Sequence, residues 1–157
     1  MFAKDLMDTH FHTLHPNQSI AEAISDFQMA SDQEGRKIFG MMVTNAEDRL
    51  VGMLSMYDIL NFVQPKHASI LGEMEDLAVD DVYRHRLKSI RKITVNDIMT
   101  TEVVTIKPDT HLMTIAEMMI KKHIRRLPVV DGKTVVGIVY VSDAFYTLMH
   151  TFTSTSD

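Results

Sequence analysis

Val51-Gly52-Met53-Leu54-Ser55-Met56-Tyr57-Asp58 and Val136-Gly137-Ile138-Val139-Tyr140-Val141-Ser142-Asp143 align at a constant offset of 85. Upstream of each stretch a second set of matches runs at an offset of 92. Asp5-Leu6-Met7 falls on Asp97-Ile98-Met99, Thr13-Leu14-His15-Pro16 on Thr105-Ile106-Lys107-Pro108, and Ile20 on Leu112. Internal repetition outranks local pattern in assigning a fold, because each copy buries its apolar face against other parts of the chain. The change of offset places seven extra residues in the first copy.

The order of elements within a copy is readable. Ser19 followed by Glu22 is a capping-box pattern, and Ile20, Ala23, Ile24 and Phe27 follow at helical spacing, which predicts a helix ending near Gly35. Leu112, Ile115, Ala116, Met119 and Ile120 repeat that spacing. Two short apolar runs come next in each copy: Ile38–Thr44 and Leu50–Leu54 around Asn45-Ala46-Glu47-Asp48, then Leu127–Val130 and Thr134–Val141 around Asp131-Gly132. Both read as hairpins. A last helix is predicted at Met56–Phe62 and at Ser142–Met149. The expected fold is mixed α/β (α+β), two β-α-β-β-α motifs packed sheet to sheet as one pseudo-two-fold body. Its parts are residues 1–63, a helical connection 64–92, residues 93–150, and a Thr/Ser-rich tail 151–157 expected to fray. In the connection, Pro65 precedes acids (Glu73, Glu75, Asp76, Asp80, Asp81), and Asp80 stands four residues before Arg84, the supportive order on a helix.

Composition narrows the function. The chain has 157 residues, 45% of them hydrophobic, enough for a core without staples, and its lack of cysteine excludes disulfides, thiol nucleophiles and thiolate metal sites. The longest apolar run, Val135–Val141, is far short of the ~18 residues of a spanning helix. Acids stand where a signal peptide would be apolar, so a soluble, unprocessed, cytoplasmic chain with no membrane partner is expected. Net charge is −5, which opposes generic binding to nucleic acid. Nine of the 16 cations nevertheless fall within positions 84–92 and 121–126. The 13 methionines fit irregular core filling or adaptable contact surfaces.

These residues resemble the cystathionine-β-synthase (CBS) domain, usually found as tandem pairs called Bateman modules. The resemblance is carried in the second copy by Asp97-Ile98-Met99, Val104-Thr105-Ile106-Lys107-Pro108, Arg125-Arg126-Leu127-Pro128-Val129-Val130-Asp131, Gly137-Ile138-Val139 and Asp143. The first copy is looser, with Ile38-Phe39-Gly40-Met41-Met42-Val43 in place of a Leu-Pro-Val-Val run, yet it keeps Gly52 through Asp58. The resemblance implies a regulatory module that binds an adenosine-type ligand (AMP, ADP, ATP or S-adenosylmethionine) in clefts between the copies. It further implies that occupancy is passed on, and because the length leaves no room for an effector domain, the regulated protein is expected in trans.

By the same resemblance, Ser55 would hold phosphate and Asp58 the ribose hydroxyls. Thr13 and Thr105 would line the nucleotide, Arg125 and Arg126 would neutralise phosphates, and Asp143 would mark the second site. The physics supports the placement: a helix amino terminus offers unpaired N–H groups and partial positive charge, and an ionised carboxylate is an acceptor suited to paired hydroxyls. The alternative is that Ser55-x-x-Asp58 simply caps a helix, worth ~0.5–2 kcal/mol with no ligand at all. In the second copy Tyr140 stands at the Ser/Thr position, where its distant hydroxyl cannot serve as a small capping donor, although the ring could stack on a base or fill the site.

Other patterns lead nowhere. Gly35-Arg36-Lys37-Ile38-Phe39-Gly40 has a phosphate-loop glycine spacing, but Met41-Met42 replace its Lys and Ser/Thr. His10, His12 and His15 lack companions for a metal set, and no catalytic elbow or His-Glu-x-x-His helix is present. No catalytic residue and no metal site is therefore expected. The rival functions are a ligand-free interaction scaffold and an enzyme of small phosphorylated substrates. A homodimer is expected from the apolar residues Ile59, Leu60 and Phe62 with Phe145, Leu148 and Met149.

Overall fold

The local signals produce the predicted elements. In the computed structural model, which describes residues 1–64 and 76–154, Ser19 caps helix α2 (Ile20–Glu34): its hydroxyl accepts the Glu22 N–H at 3.1 Å, and the Glu22 carboxylate accepts the Ser19 N–H at 3.0 Å. Gly35 ends the helix at φ 65°, a left-handed conformation that glycine adopts without a Cβ penalty. The matching helix α6 (Leu112–Lys122) starts at His111, whose Nδ1 accepts the Met113 N–H, and ends at His123, also left-handed at φ 52°. Capping is thus repeated with different chemistry.

Strand β1 (Thr13–Leu14) lies parallel to β2 (Gly40–Thr44), with Thr13 opposite Met42 and Leu14 opposite Val43, and β3 (Leu50–Ser55) completes a three-stranded sheet. In the second copy β4 (Arg126–Asp131) and β5 (Thr134–Tyr140) form an antiparallel hairpin, and Ile106 bridges Val129 in parallel as the counterpart of β1. Helices α3 (Met56–Val63) and α7 (Val141–Ser154) follow the hairpins. The fold is mixed α/β with two small sheets. The offset between copies falls from 92 at the starts of α2 and α6 to 88 at their caps, 86 at β2 and β4, and 85 at α3 and α7. The extra residues of the first copy therefore lengthen α2 to 15 residues against 11 in α6, and the remainder enter the loop and the hairpin turn.

Three features depart from expectation. Of the tail expected to fray, 151–154 is helical, because the hydroxyls of Thr151, Thr153 and Ser154 donate to carbonyls one turn back instead of breaking the helix, and 155–157 lies outside the described residues. Short helices α1 (Ala3–Leu6) and α5 (Val95–Ile98) hold the Asp-Leu-Met and Asp-Ile-Met stretches. Helix α4 (Asp76–Ser89) occupies the connection, and Arg86 lies over the Phe62 ring at 5.6 Å, but no ion pair joins Asp80 to Arg84 among the described residues. Pro65, Glu73 and Glu75 lie outside the described residues.

The chain divides into two compact units. Unit 1 comprises Met1–Phe11, Glu47–Leu50 and Val103–Asp157, and unit 2 comprises His12–Ala46 and Val51–Glu102. Each has its own core: Ala3, Leu112, Ile115, Leu127, Val129 and Val139 in unit 1, and Ile20, Ala23, Val43, Leu54 and Val95 among others in unit 2. The leading segment of each copy therefore packs with the body of the other copy. In unit 2 Ile20 donates to the Ile93 carbonyl, Val95 to Gln18 and Asn96 to Pro16; in unit 1 Leu112 donates to Met1, Ala3 to Thr110 and Lys4 to Pro108, the same three bonds with the copies exchanged.

The exchange ends on the repeated glycines. Met53 and Thr100 trade both backbone hydrogen bonds, at 2.9 and 2.8 Å, as do Asp8 and Ile138 at 2.8 and 3.0 Å. A Cβ on Gly52 would lie 2.6 Å from Met99 Sδ and 2.8 Å from the Thr100 carbonyl oxygen, and one on Gly137 would lie 2.6 Å from Met7 Sδ. Gly52→Ala and Gly137→Ala are each expected to destabilise the chain by about 1–3 kcal/mol through overpacking. Urea unfolding checks this. Gly52→Ala should show the larger loss, since besides the Met99 side chain it meets the Thr100 carbonyl oxygen, which is backbone, and an unchanged midpoint at both positions would contradict the packing.

Candidate functional site

Strand β3 delivers Ser55 to the amino end of α3, and the cap is complete within the chain itself. Ser55 has extended backbone (φ −110°, ψ 163°), and its hydroxyl oxygen accepts the Asp58 N–H at 3.2 Å while donating to Asp58 Oδ2 at 3.0 Å. Asp58 Oδ2 also accepts the Ser55 N–H at 2.8 Å. The other carboxylate oxygen, Oδ1, faces the Thr100 hydroxyl at 3.4 Å. Both residues are half-buried. One oxygen of the carboxylate is thus committed to the cap, and among the described residues the other meets a single long contact.

The expected site residues separate between the units. Thr13, exposed at the start of β1, stands in unit 2 on the same sheet that carries Ser55, so unit 2 holds Thr13, Ser55 and Asp58. Unit 1 holds Thr105, Arg125, Arg126 and Asp143. Thr105 is exposed beside Ile106, Arg125 is exposed and its carbonyl accepts the Val141 N–H at 2.8 Å, and Arg126 sits opposite Tyr140 across the β4–β5 ladder. Asp143 lies in the first turn of α7, half-buried. The two arginines and the serine cap are therefore not brought together within one unit.

Thr100 is the neighbour of Asp58 that motif reading missed. Its position follows the Asp-Ile-Met stretch by one residue, and the equivalent residue by the repeat offset is Asp8, whose backbone pairs with Ile138 in unit 1. Only the exchange of leading segments carries Thr100 to Asp58. Among the described residues no group of three or more His, Asp or Glu is arranged to hold a metal ion, and no helix is long and apolar enough to cross a membrane.

A family model described as the CBS domain matches residues 3–65 and 95–150. The chain belongs to the CBS-domain family. An uncharacterized protein of Methanocaldococcus jannaschii is 33% identical over 125 residues, covering 72% of this chain and 74% of that one. Among solved structures, CBSX2 of Arabidopsis thaliana in complex with AMP superposes with a TM-score of 0.68 at 20% identity, covering 96% of this chain and 98% of that one. The CBS domain pair of protein MJ0100, in complex with 5-methylthioadenosine and S-adenosyl-L-methionine, gives a TM-score of 0.66 at 26% identity, over 96% and 98% of the two chains. A tandem CBS pair, the Bateman arrangement, accounts for both repeated segments.

The cap of α3 has a counterpart elsewhere in unit 2. Before α5, the Thr94 N–H and hydroxyl each donate to Asp97 Oδ2 at 2.9 Å. These bonds, the backbone one first and the hydroxyl second, hold the exposed Asp97 carboxyl below its ordinary value of 3.8. A carboxyl lowered in the folded chain contributes stability that is fully present above the ordinary value and is lost as pH falls through the lowered one. Thr94→Val removes only the hydroxyl and should move the Asp97 midpoint upward, part of the way to 3.8. Carboxyl-carbon NMR titration reads the midpoint, and no movement would show that the hydroxyl takes no part.

Proposed function

We propose that this CBS pair is a regulatory binding module, not an enzyme, that senses an adenosyl ligand of the AMP, ADP, ATP or S-adenosylmethionine class and passes occupancy to a regulated partner protein in the cytoplasm. The observation that carries the reading is the Ser55–Asp58 cap at the end of β3, in a chain of the CBS family. Asp58 offers an acceptor to the ribose hydroxyls, Ser55 and the amino end of α3 face the 5′ substituent, and Thr13 lines the same sheet. Thr105, Arg125, Arg126 and Asp143 are the corresponding groups of unit 1, where Tyr140 replaces the small capping hydroxyl. Solved CBS pairs carrying AMP, or 5-methylthioadenosine and S-adenosylmethionine, support the ligand class. A ligand alters the module only by its difference in affinity between two arrangements, so the regulated step must be one that occupancy favours.

Ligand in excess at 100 times its dissociation constant should stabilise the folded chain by about 2.7 kcal/mol. Thermal melting with AMP, ADP, ATP and S-adenosylmethionine checks this. A rise in Tm with at least one of them, abolished in Asp58→Ala, is the expected result. A folded chain whose Tm responds to none would leave the ligand-free scaffold as the better reading.

The reading includes a homodimer. Ile59, Phe62 and Leu148 pack inward against the two cores, whereas Leu60, Phe145 and Met149 face out, joined on α7 by Val141 and Phe152, the latter 69% exposed. Val141, Phe145, Met149 and Phe152 recur at helical spacing along one side of α7, a face that carries no charge. Sedimentation should give a dimer that Phe145→Asp/Phe152→Asp converts to monomer with the secondary structure intact. A wild-type monomer at high concentration would remove the claim.

A further inference from the structure

The amino end of α3 keeps few donors for a phosphate. The Met56 N–H donates to the Phe39 carbonyl at 2.9 Å and the Asp58 N–H to Ser55 Oγ at 3.2 Å, so two of the first three amides of the helix are already in use. The first of these bonds has its equivalent in unit 1, where Val141 donates to Arg125. Phe39 is therefore the counterpart of Arg125, and Gly40, which opens β2, is the counterpart of Arg126, which opens β4. Where unit 1 presents two guanidinium-bearing residues, unit 2 presents a phenyl ring and a residue without a side chain.

The charge fixed at the cap itself is the Asp58 carboxylate. Lys37, exposed two residues before Phe39, is the single cation of that loop without an acid partner among the described residues. Beside the cap lies an apolar rim: Phe39 is 47% exposed and Met56 38%. A phosphate brought here would meet the Asp58 charge with few amides, and with Phe39 and Gly40 at the positions that carry guanidinium groups in unit 1. A thioether would lie on the apolar rim, and a sulfonium would be attracted both by the Asp58 carboxylate and by the face of the Phe39 ring.

We propose that the Ser55–Asp58 site selects adenosines whose 5′ substituent is a thioether or a sulfonium over those that are 5′-phosphorylated, with Phe39 as the residue that sets this preference. The inference rests on the adenosyl reading above and narrows its ligand class.

Titration calorimetry of the full chain with 5′-methylthioadenosine, S-adenosylmethionine, AMP and ATP at one ionic strength tests it, each titration being repeated on Asp58→Asn to assign the heat to this site. The expected order is thioether and sulfonium at least roughly tenfold tighter than AMP, with ATP weaker still. Phe39→Arg, which supplies the guanidinium of unit 1, should narrow or invert that ratio. Asp58-dependent binding of AMP or ATP as tight as that of the thioether would overturn the inference and leave the adenosyl reading standing. Loss of all Asp58-dependent binding would instead take down the adenosyl reading, and the inference with it. Should Phe39→Arg fail to fold by circular dichroism, the order on the wild-type chain decides alone.

Discussion

The close approach of Met99-Thr100 to Gly52, and of Met7-Asp8 to Gly137, is the constraint on which the rest of the structure depends. At each glycine the incoming segment exchanges two backbone hydrogen bonds with the strand residue that follows, and a methionine sulfur occupies the space a Cβ would need. That contact fastens the leading segment of one copy to the body of the other. Unit 2 without residues 93–100 would expose Ile20 and Leu54 and leave Met53 with unpaired backbone groups, and unit 1 without residues 1–8 would do the same to Leu112 and Ile138. Buried polar backbone left unpaired is costly, so each half of the repeat depends on the other for a complete unit.

The same contact builds the candidate site. Gly52 and Ser55 lie three residues apart on β3, so the strand held by Met99 and Thr100 is the strand that delivers the cap of α3, and Thr100 itself reaches Asp58. Asp58 therefore follows a strand whose position is set by the leading segment of the second copy. In unit 1 the equivalent strand is held by Met7 and Asp8, and it delivers Tyr140 rather than a capping serine. One scaffold, repeated, presents two different chemical surfaces.

Much of this was legible beforehand, and the reason differs by element. The α2 cap, its glycine stop, both hairpins and the helices after them depend on neighbours within a few residues, and capping boxes, turn residues and apolar spacing report such neighbours directly. The short helices α1 and α5 were not read, because four residues hold too little periodicity; their signal was the aspartate three residues after Phe2 and Thr94, which accepts the backbone N–H of each. The helical end of α7 was misread as fraying because Thr and Ser weigh against helix in isolation, although their hydroxyls can return to carbonyls one turn back. Of the dimer-face residues, helical spacing marked both sides of each helix as apolar, and burial alone separated Ile59, Phe62 and Leu148 from Leu60, Phe145 and Met149.

By itself the sequence determined that there are two copies, the longer elements within each, and the Ser55–Asp58 capping box, since these follow from residue type and local spacing. Only the tertiary structure decided which copy each leading segment joins. The repeat makes Met7 and Met99 interchangeable partners for Gly52 and Gly137, so the pattern is satisfied equally by pairing within a copy or between copies. The choice is made by hydrogen bonds and packing between residues far apart in the chain, and it is what brings Thr100 to Asp58.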